Sequence, residues 1–276
     1  TRSGTTWSQQ AKLQASDAAY RDYLGFSVAI DGDTIVVGAF GEDTGADSAG
    51  AAYVFTRSGT TWSQQAKLQA SDAQASDQFA REAISISGDT IVVGAYREDT
   101  GGSDAGSAYV FIRSGTSWSQ QAKLQASDAA AGDRFGAAVS ISSDTIVAGA
   151  SLEDTAGTDT GSVYVFTRSG TSWSQQAKLV AGNPSGLDEF GKSVDIDGDT
   201  VIIGATKEDT GIQDTGAAYI FTRSGTTWSE QKLLKGSDVP AYKRFGWAVA
   251  IDGSTAVGTT KLIDSNTGAA YTFLAG

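Results

Sequence analysis

Residues 117–124 read Ser117-Trp118-Ser119-Gln120-Gln121-Ala122-Lys123-Leu124, and near-copies of this stretch occur four more times in the chain. The alternation places Trp118, Ala122 and Leu124 on one face and Ser119 and Lys123 on the other, which is typical of a half-buried β-strand. Self-similarity at a fixed period is typical of solenoids and propellers. The Trp recurs at intervals of 55, 56, 55 and 55 residues, at Trp7, Trp62, Trp118, Trp173 and Trp228.

Three more strands are expected between one Trp stretch and the next. In the third copy they are an alternating segment over 135–142, a continuous apolar segment over 145–150, and the aromatic strand over 162–166. Short turn signals such as Asp31-Gly32-Asp33 separate the first two, and Asp-Gly is a strong hairpin signal. Four short antiparallel strands in each of five copies predict an all-β, five-bladed β-propeller. The absence of helical periodicity excludes an α-solenoid, and the coils of a β-helix are far shorter.

The whole chain is expected to form one propeller domain over 1–276. The chain begins inside the Trp strand and ends after the aromatic strand that precedes it in the other copies, so we predict that residues 1–14 complete the last blade and close the ring. The same phase suggests that the chain is part of a larger polypeptide. The repeats are 1–55, 56–111, 112–166, 167–221 and 222–276.

The second copy is one residue longer than the third. Phe79 to Asp89 spans ten positions where Phe135 to Asp144 spans nine, so a β-bulge is predicted at 80–83.

Composition excludes several classes of function. Lys plus Arg is 20 and Asp plus Glu is 32, a net charge of −12, with no basic stripe, so nucleic acid is not expected as a partner. The chain has no Cys, no Met and no His, which removes thiolate chemistry, disulfides and the commonest general base. No apolar run is long enough to span a membrane.

The spacing of Phe-Gly, Gly-Ala and Tyr-Val-Phe elements resembles the FG-GAP repeat, which builds the propeller of integrin α subunits and of many bacterial extracellular proteins. Phe135-Gly136, Gly149-Ala150 and Tyr164-Val165-Phe166 carry this resemblance in the third copy. It implies a β-propeller with a ligand-binding or adhesive role, usually outside the cell.

Some features depart from that pattern. No Pro follows Gly-Ala in any copy, and Leu24-Gly25 and Phe79-Ala80 replace Phe-Gly in the first two. The calcium-binding loop of integrin-like repeats is replaced by the short Asp-Gly hairpin, so calcium is not carried over to those positions. Integrin-like propellers also have seven blades rather than five.

Two acidic loops per copy are expected on one face of the ring and close to each other. The fifth copy loses both, with Lys243 in place of the first Asp and Thr260-Lys261 in place of the Glu-Asp pair. Joint loss suggests a shared task, and a hard cation such as Ca²⁺ is one candidate. Turn formation and ion pairs with nearby Arg or Lys are the alternative. The candidate cation ligands are Asp22, Glu42, Asp43, Asp77, Glu98, Asp99, Asp133, Glu153, Asp154, Asp188, Glu208 and Asp209.

Aromatic residues divide into two groups. The repeated Trp residues are expected to pack between blades, and the repeated Arg-Ser-Gly tips on the opposite face to be solvated turns. Aromatics that occur in one copy only, in or near the loops, are better candidates for ligand contact. These are Tyr20, Tyr23, Tyr96, Tyr242 and Trp247.

The sequence therefore predicts a non-catalytic extracellular binding or adhesion module, of bacterial type, that recognises a glycan or protein ligand, with a cation such as calcium as a candidate cofactor. A structural spacer without a ligand is the alternative. A glycan-active enzyme that uses a pair of carboxylates is a further one. No catalytic residues are assigned, because the carboxylates repeat with the scaffold whereas a catalytic pair is normally singular.

Overall fold

The structure of the protein is a computed structural model that describes residues 2–209, 213–263 and 267–275. Within these ranges the chain forms strands and turns and no helix. The strands make five antiparallel sheets, arranged as the blades of a β-propeller, and a short hairpin at the N terminus. The all-β fold with five blades that the repeats predict is confirmed.

Each of the first four blades contains four strands, ordered along the chain from the inner to the outer strand, and blade 5 contains three. The N-terminal hairpin is β1 (Arg2–Ser3) and β2 (Thr6–Trp7). Blade 1 is β3 (Val28–Asp31), β4 (Thr34–Ala39), β5 (Ala51–Ser58) and β6 (Thr61–Leu68). Blade 2 is β7 (Ile84–Ser87), β8 (Thr90–Ala95), β9 (Ser107–Ser114) and β10 (Ser117–Leu124). Blade 3 is β11 (Ala138–Ser142), β12 (Thr145–Ala150), β13 (Ser162–Ser169) and β14 (Ser172–Leu179). Blade 4 is β15 (Phe190–Asp197), β16 (Thr200–Ala205), β17 (Ala217–Ser224) and β18 (Thr227–Leu234). Blade 5 is β19 (Val249–Asp252), β20 (Thr255–Ile263) and β21 (Thr267–Leu274).

The hairpins between the first two strands of each blade have the predicted turn geometry. Gly32 and Gly198 have φ of 54° and 56°, the left-handed region that favours glycine. In blade 3 the same position is Ser143, which adopts φ 54° without the freedom of glycine. These hairpins join strands on the face of the ring opposite the acidic loops.

Neighbouring blades bury one apolar layer between them. Val110 and Leu124 of blade 2 pack in one cluster with Ile141 and Tyr164 of blade 3, and these four side chains are at most 6% exposed. Clusters with the same composition fill the other three junctions between consecutive blades. Burial of such surface stabilises by about 25 cal/mol per Å² removed from water, so the blade-to-blade junctions are the main stabilising element.

The Gly of each Gly-Ala pair lies against the Phe-Gly turn of the next blade. A Cβ on Gly94 would overlap the carbonyl O of Gly136, and the Gly136 N–H donates to the carbonyl of Gly149 (2.9 Å). The Gly-Ala strand of one blade and the Phe-Gly turn of the next therefore pack backbone against backbone, at the end of each junction nearest the axis.

The β-bulge predicted in the second copy is wrong. Strand β7 starts only at Ile84, and its pairing with β8 has no register shift. The extra residue is instead taken up before the strand, in a turn where Ala80 has φ 63° and the Arg81 N–H donates to the carbonyl of Gln78 (3.2 Å).

The predicted closure by residues 1–14 is not found in the part of the chain that the structure describes. Strand β2 pairs with β1, and β21 has β20 as its one hydrogen-bonded neighbour strand. The inner strands contact one another in the order β3, β7, β11, β15, β19, and no contact of similar extent joins β19 back to β3. The N-terminal segment is instead held by blade 1, where Trp62 Nε1 donates to Gln10 Oε1 (2.9 Å).

The junction between blades 5 and 1, which we call the open junction, leaves an apolar face of blade 1 exposed. Val28 and Ile30 are 66% and 65% exposed, whereas Ile86, Ile141, Ile196 and Ile251, at the position of Ile30 in the later blades, are 5–8% exposed. Leu13 and Ala15 from the N-terminal segment cover the outer part of this face.

Candidate functional site

The two acidic loops of each copy meet, as predicted, on the face where the Gly-Ala strands end, which we call the Gly-Ala face. In blade 3 the Leu152 N–H donates to the carbonyl of Asp133 (3.4 Å), and Glu153 and Asp154 act on the Asp133 carboxyl electrostatically. The sequence order alone brings these residues together, because one loop precedes the inner strand and the other follows its neighbour.

The Glu of each Glu-Asp pair is buried and neutralised by a Lys. Glu98 is 1% exposed and accepts hydrogen bonds from Lys123 Nζ (2.9 Å), Ser107 Oγ (2.6 Å) and the Thr100 hydroxyl. Burial alone would raise the pKa of Glu98, but these donors more than offset it, so that its pKa lies below the usual range. The four ion pairs are Lys67–Glu42 (2.8 Å), Lys123–Glu98 (2.9 Å), Lys178–Glu153 (3.0 Å) and Lys235–Glu208 (3.3 Å).

The Asp of each Glu-Asp pair stabilises the loop in which it lies. Asp99 is exposed, and its Oδ1 accepts the backbone N–H of Asp104 (2.8 Å), five residues later. This is turn chemistry of the kind that Asp side chains commonly provide. The other three are Asp43 to Ser48 (2.7 Å), Asp154 to Asp159 (2.7 Å) and Asp209 to Asp214 (2.6 Å).

The Asp that precedes the Phe-Gly strand is buried and also bonded to backbone. Asp77 is 2% exposed, and its Oδ2 accepts the N–H of Gln74 (2.7 Å). Burial, with the charges of Glu98 and Asp72 adding to it, raises the pKa of Asp77 to about 6. The same arrangement is found at Asp22 with Ala19 (2.6 Å), Asp133 with Ala130 (2.8 Å) and Asp188 with Ser185 (2.7 Å).

The acidic loops thus have internal partners. Within residues 2–209, 213–263 and 267–275 no group of three or more acidic side chains is arranged to hold a metal ion. In the part of the chain that the structure describes, the loss of the Glu in the fifth copy coincides with the absence from blade 5 of the outer strand that supplies the Lys in blades 1 to 3. A cation at these loops stays a prediction.

The repeated Trp residues connect neighbouring outer strands. Trp118 Nε1 donates to Gln65 Oε1 (2.8 Å) on the preceding blade, and Arg113 lies over its ring (5.4 Å). Arg113 in turn pairs with Asp89 at the same tip. The Trp residues of copies two to five all make this bond, so they are structural, whereas Trp7 of the first copy is 74% exposed.

The unrepeated aromatics form a row across blades 1 and 2. Tyr23 stacks on Phe40 (ring centroids 4.9 Å, interplanar angle 4°), and Phe26 meets the same ring edge-on (4.9 Å). The Arg81 guanidinium lies 5.2 Å from the Phe40 ring and 5.8 Å from the Tyr96 ring. Tyr96 is 8% exposed, with its hydroxyl bonded to Gln78 (2.7 Å) and Arg81 (2.7 Å), so that it supports the row from below.

The other two Tyr candidates are more exposed. Tyr20 is 85% exposed, with Arg21 over its ring (5.1 Å). Tyr242 is 55% exposed, and its hydroxyl donates to Gln213 (2.6 Å).

Trp247 lies in a pocket of about 640 Å³ at the Gly-Ala end of the central channel, which we call the axial pocket. Phe26, Glu82 and Lys192 line it together with Trp247 and Lys261, so residues from blades 1, 2, 4 and 5 converge there. Lys261 Nζ is 3.8 Å and Lys192 Nζ is 5.6 Å from the centroid of the Trp247 ring. A pocket of this size is in the range of small-molecule sites.

Four residues of the axial pocket, Phe26, Ala137, Lys192 and Trp247, stand at one position of the repeat that differs in every copy. The residue after Phe-Gly, or after its equivalent, is different in every copy, and so is the residue after Gly-Ala in blades 1 to 4. Strand residues between these positions are almost invariant. The two series are Phe26, Arg81, Ala137, Lys192 and Trp247, and Phe40, Tyr96, Ser151 and Thr206.

Of the aromatic candidates, Trp247 lines the axial pocket and Tyr23 and Tyr96 belong to the aromatic row. The site residues predicted from the sequence did not include Phe26, Phe40, Arg81, Lys192 and Lys261. The signal for the missed residues was their departure from the repeat. Distance along the chain concealed it, because residues 26 and 261 meet only at the axis.

The fold and the repeated inter-blade packing define a β-propeller built from tandem repeats. The model of the FG-GAP repeat matches the chain five times, at residues 7–55, 62–111, 118–166, 173–221 and 228–273. The chain therefore belongs to the FG-GAP repeat family. The last four matches start in the outer strand of one blade and end in the third strand of the next, and the first match starts at Trp7 in β2.

A comparison with curated proteins gives no match. Among the described residues no helix has the length and apolar character required to cross a membrane. Family and fold indicate a binding or structural module.

Proposed function

We propose that this protein is a non-catalytic binding module that recognises a glycan or protein ligand in the axial pocket. The observation that carries the proposal is that four of the five residues that follow Phe-Gly or its equivalent, a position that differs in every copy, line the pocket. In a repeat protein, the residues that form the fold recur in every copy. Residues that differ between copies and lie together in one concave site are therefore candidates for ligand recognition.

The repeated side chains support a scaffold role for the rest of the Gly-Ala face. The Glu, Asp and Lys residues of the acidic loops bond to one another and to the backbone, so they hold the loops that surround the pocket. The carboxylates repeat with the blades, and a catalytic pair would stand out from the repeat. A non-catalytic role follows from this pattern.

The proposal includes an extracellular or cell-surface location and a bacterial source, as the FG-GAP family suggests. Binding of a cation at the acidic loops is not required by this proposal, because their carboxylates already have partners.

A glycan array probed with labelled protein tests the function. We expect retention on a defined set of glycans, lost in Trp247→Ala and kept in Trp7→Ala. Trp7 is a matched control because it is 74% exposed and lies beside Arg57 and Trp62, near the tips of the opposite face. An array without any retained glycan, together with no retention on immobilised extracellular-matrix or cell-wall proteins, would contradict the proposal.

A structural spacer is the second candidate. The near-identity of the outer strands favours it, because such copies need no individual sites. It predicts that Trp247→Ala changes no interaction of the protein.

A further inference from the structure

We infer that the axial pocket binds an oligosaccharide that carries carboxylate groups, with its sugar rings against aromatic side chains and its carboxylates on Lys192 and Lys261. This inference rests on the proposed function and names the ligand class of the same site. Charge, unsatisfied donors and the occupied edges of the inner strands each support it.

The cations of the chain fall into two groups. Nine of the 20 Lys and Arg residues recur at equivalent positions of the outer strands and tips. Most of these are paired, as Lys123 is with Glu98 and Arg113 with Asp89. Of the other eleven, nine stand in or beside the loops of the Gly-Ala face: Arg21, Arg81, Arg97, Arg134, Lys192, Lys207, Lys243, Arg244 and Lys261.

The charged residues that line the pocket are Lys192, Lys261 and Glu82. Lys192 is 4.0 Å from the Glu82 carboxylate, a weak contact, and Lys261 has no ion pair with any described carboxylate. The pocket therefore has a net positive charge in a protein whose total is −12. A cationic pocket in an acidic protein favours an anionic ligand, and repulsion from the surrounding surface restricts how the ligand approaches.

Two guanidinium groups beside the aromatic row have an unused donor. Arg81 Nε and Arg97 Nε are buried and have no hydrogen-bond acceptor among the described residues, although Arg81 Nε lies 3.8 Å from the Glu82 carboxylate. A buried donor without an acceptor costs free energy, which an arriving oxyanion would recover. Arg81 lies 5.7 Å from the ring of Phe26, which lines the pocket, so this donor is close to the site.

Aromatic rings supply the second half of the recognition. Trp247 and Phe26 present rings to the pocket, and Phe26 is 54% exposed. An aromatic face packs well on the C–H face of a sugar, and the hydroxyl groups around such a ring suit a pocket with polar side chains. Rings and cations in one site match a ligand that is both cyclic and acidic.

A peptide ligand fits less well. Peptides commonly bind by adding a strand to a free sheet edge. Here the edges of the inner strands of blades 3 and 5 are occupied by side chains of the preceding blade: Ile141 N–H donates to Ser85 Oγ (3.2 Å) and Ile251 N–H to Asp195 Oδ2 (2.8 Å). The main-chain contacts that give peptides their affinity are thus already used.

Isothermal titration calorimetry tests the inference with oligomers of galacturonate, glucuronate and mannuronate as probes. The matched neutral probe is the methyl ester of the same oligogalacturonate, which keeps the rings and hydroxyls and loses the charge. We expect at least one acid oligomer to bind, and its neutral ester to bind about tenfold more weakly or worse. Raised ionic strength should weaken binding of the acid.

Variants locate the contact. The double variant Lys192→Gln/Lys261→Gln should lose about tenfold or more in affinity for the acid and little for the ester. Lys12→Gln, at an exposed repeated Lys of the N-terminal segment, should bind as the unchanged protein does. A melting curve of each variant checks that the fold is kept.

The outcomes separate the two proposals. Equal affinity for acid and ester, or tighter binding of a glutamate-rich peptide, overturns the inference and leaves the binding function standing. Failure of all three acid oligomers to bind also overturns it, whatever the glycan array gives. Failure of the oligomers together with a silent array and no protein ligand overturns both.

Discussion

Trp62 donates its indole N–H to the side-chain oxygen of Gln10 (2.9 Å), and this bond repeats the one from Trp118 to Gln65 (2.8 Å) between blades 1 and 2. The N-terminal segment therefore lies where the outer strand of a blade preceding blade 1 would lie. Lys67 strengthens this placement by pairing with Asp17 (2.6 Å), as Lys123 pairs with Asp72. The segment is fixed to blade 1, and β21 is left without a fourth strand beside it in the described structure.

The open junction makes one pair of equivalent residues differ in their contribution to stability. Ile141 is 6% exposed and Ile30 is 65% exposed. We expect Ile141→Ala to lower the free energy of unfolding by about 2–4 kcal/mol and Ile30→Ala by less than about 1 kcal/mol. Urea unfolding of both variants measures this. Equal losses would mean that blade 5 covers blade 1 in solution and that the ring is closed.

The buried Glu of each acidic loop depends on its Lys. We expect Lys123→Met to destabilise the protein by about 2 kcal/mol or more, because Glu98 would remain buried without a counter-charge. Lys123→Met/Glu98→Gln should recover most of the loss, since the amide still accepts from Ser107. Lys12→Met is the control at an exposed Lys. Unchanged stability of Lys123→Met would show that the ion pair is dispensable.

Stability should depend on pH through Asp77 and Asp188. Their pKa is raised to about 6 by burial, so the native state holds these protons more tightly than the unfolded chain, whose value is 3.8. The corresponding stability is present in full below pH 3.8 and is lost as the pH rises through about 6. We expect Asp77→Asn to melt close to the unchanged protein near pH 4 and above it at pH 7, with Asp188→Asn behaving alike. A difference in melting temperature that is constant over this range would contradict the raised pKa.

Calcium tests the alternative role of the acidic loops. Because each Glu is paired with a Lys and each Asp with a backbone N–H, we expect the same melting temperature in millimolar Ca²⁺ and in EDTA. A ligand that binds only the folded state stabilises by about 2.7 kcal/mol at a hundredfold excess over its Kd, which a melting curve resolves easily. A clear upward shift with Ca²⁺ would make these loops metal sites.

The sequence predicted the features that repeat. The period, the alternation around Trp118 and the Asp-Gly turns suffice for five four-stranded units, because each is a local pattern. The meeting of Asp133 with Glu153 was also predictable, since strand connectivity alone decides it. What the sequence did not reveal depends on geometry between distant residues. The placement of the N-terminal segment depends on side-chain contacts such as that of Trp62 with Gln10, and the axial pocket was missed because Phe26 and Lys261 belong to opposite ends of the chain.

The indole N–H resonances of ¹⁵N-Trp-labelled protein test the central claim most directly. Five of the six Trp residues are repeated and only Trp247 lines the axial pocket in the described structure, so one signal, assigned with Trp247→Phe, reports on the site. On titration with the acid oligosaccharide that binds best, we predict that the Trp247 resonance shifts to saturation while the other five stay in place. A shift of the repeated Trp signals with Trp247 unmoved would contradict the assignment of ligand binding to the axial pocket.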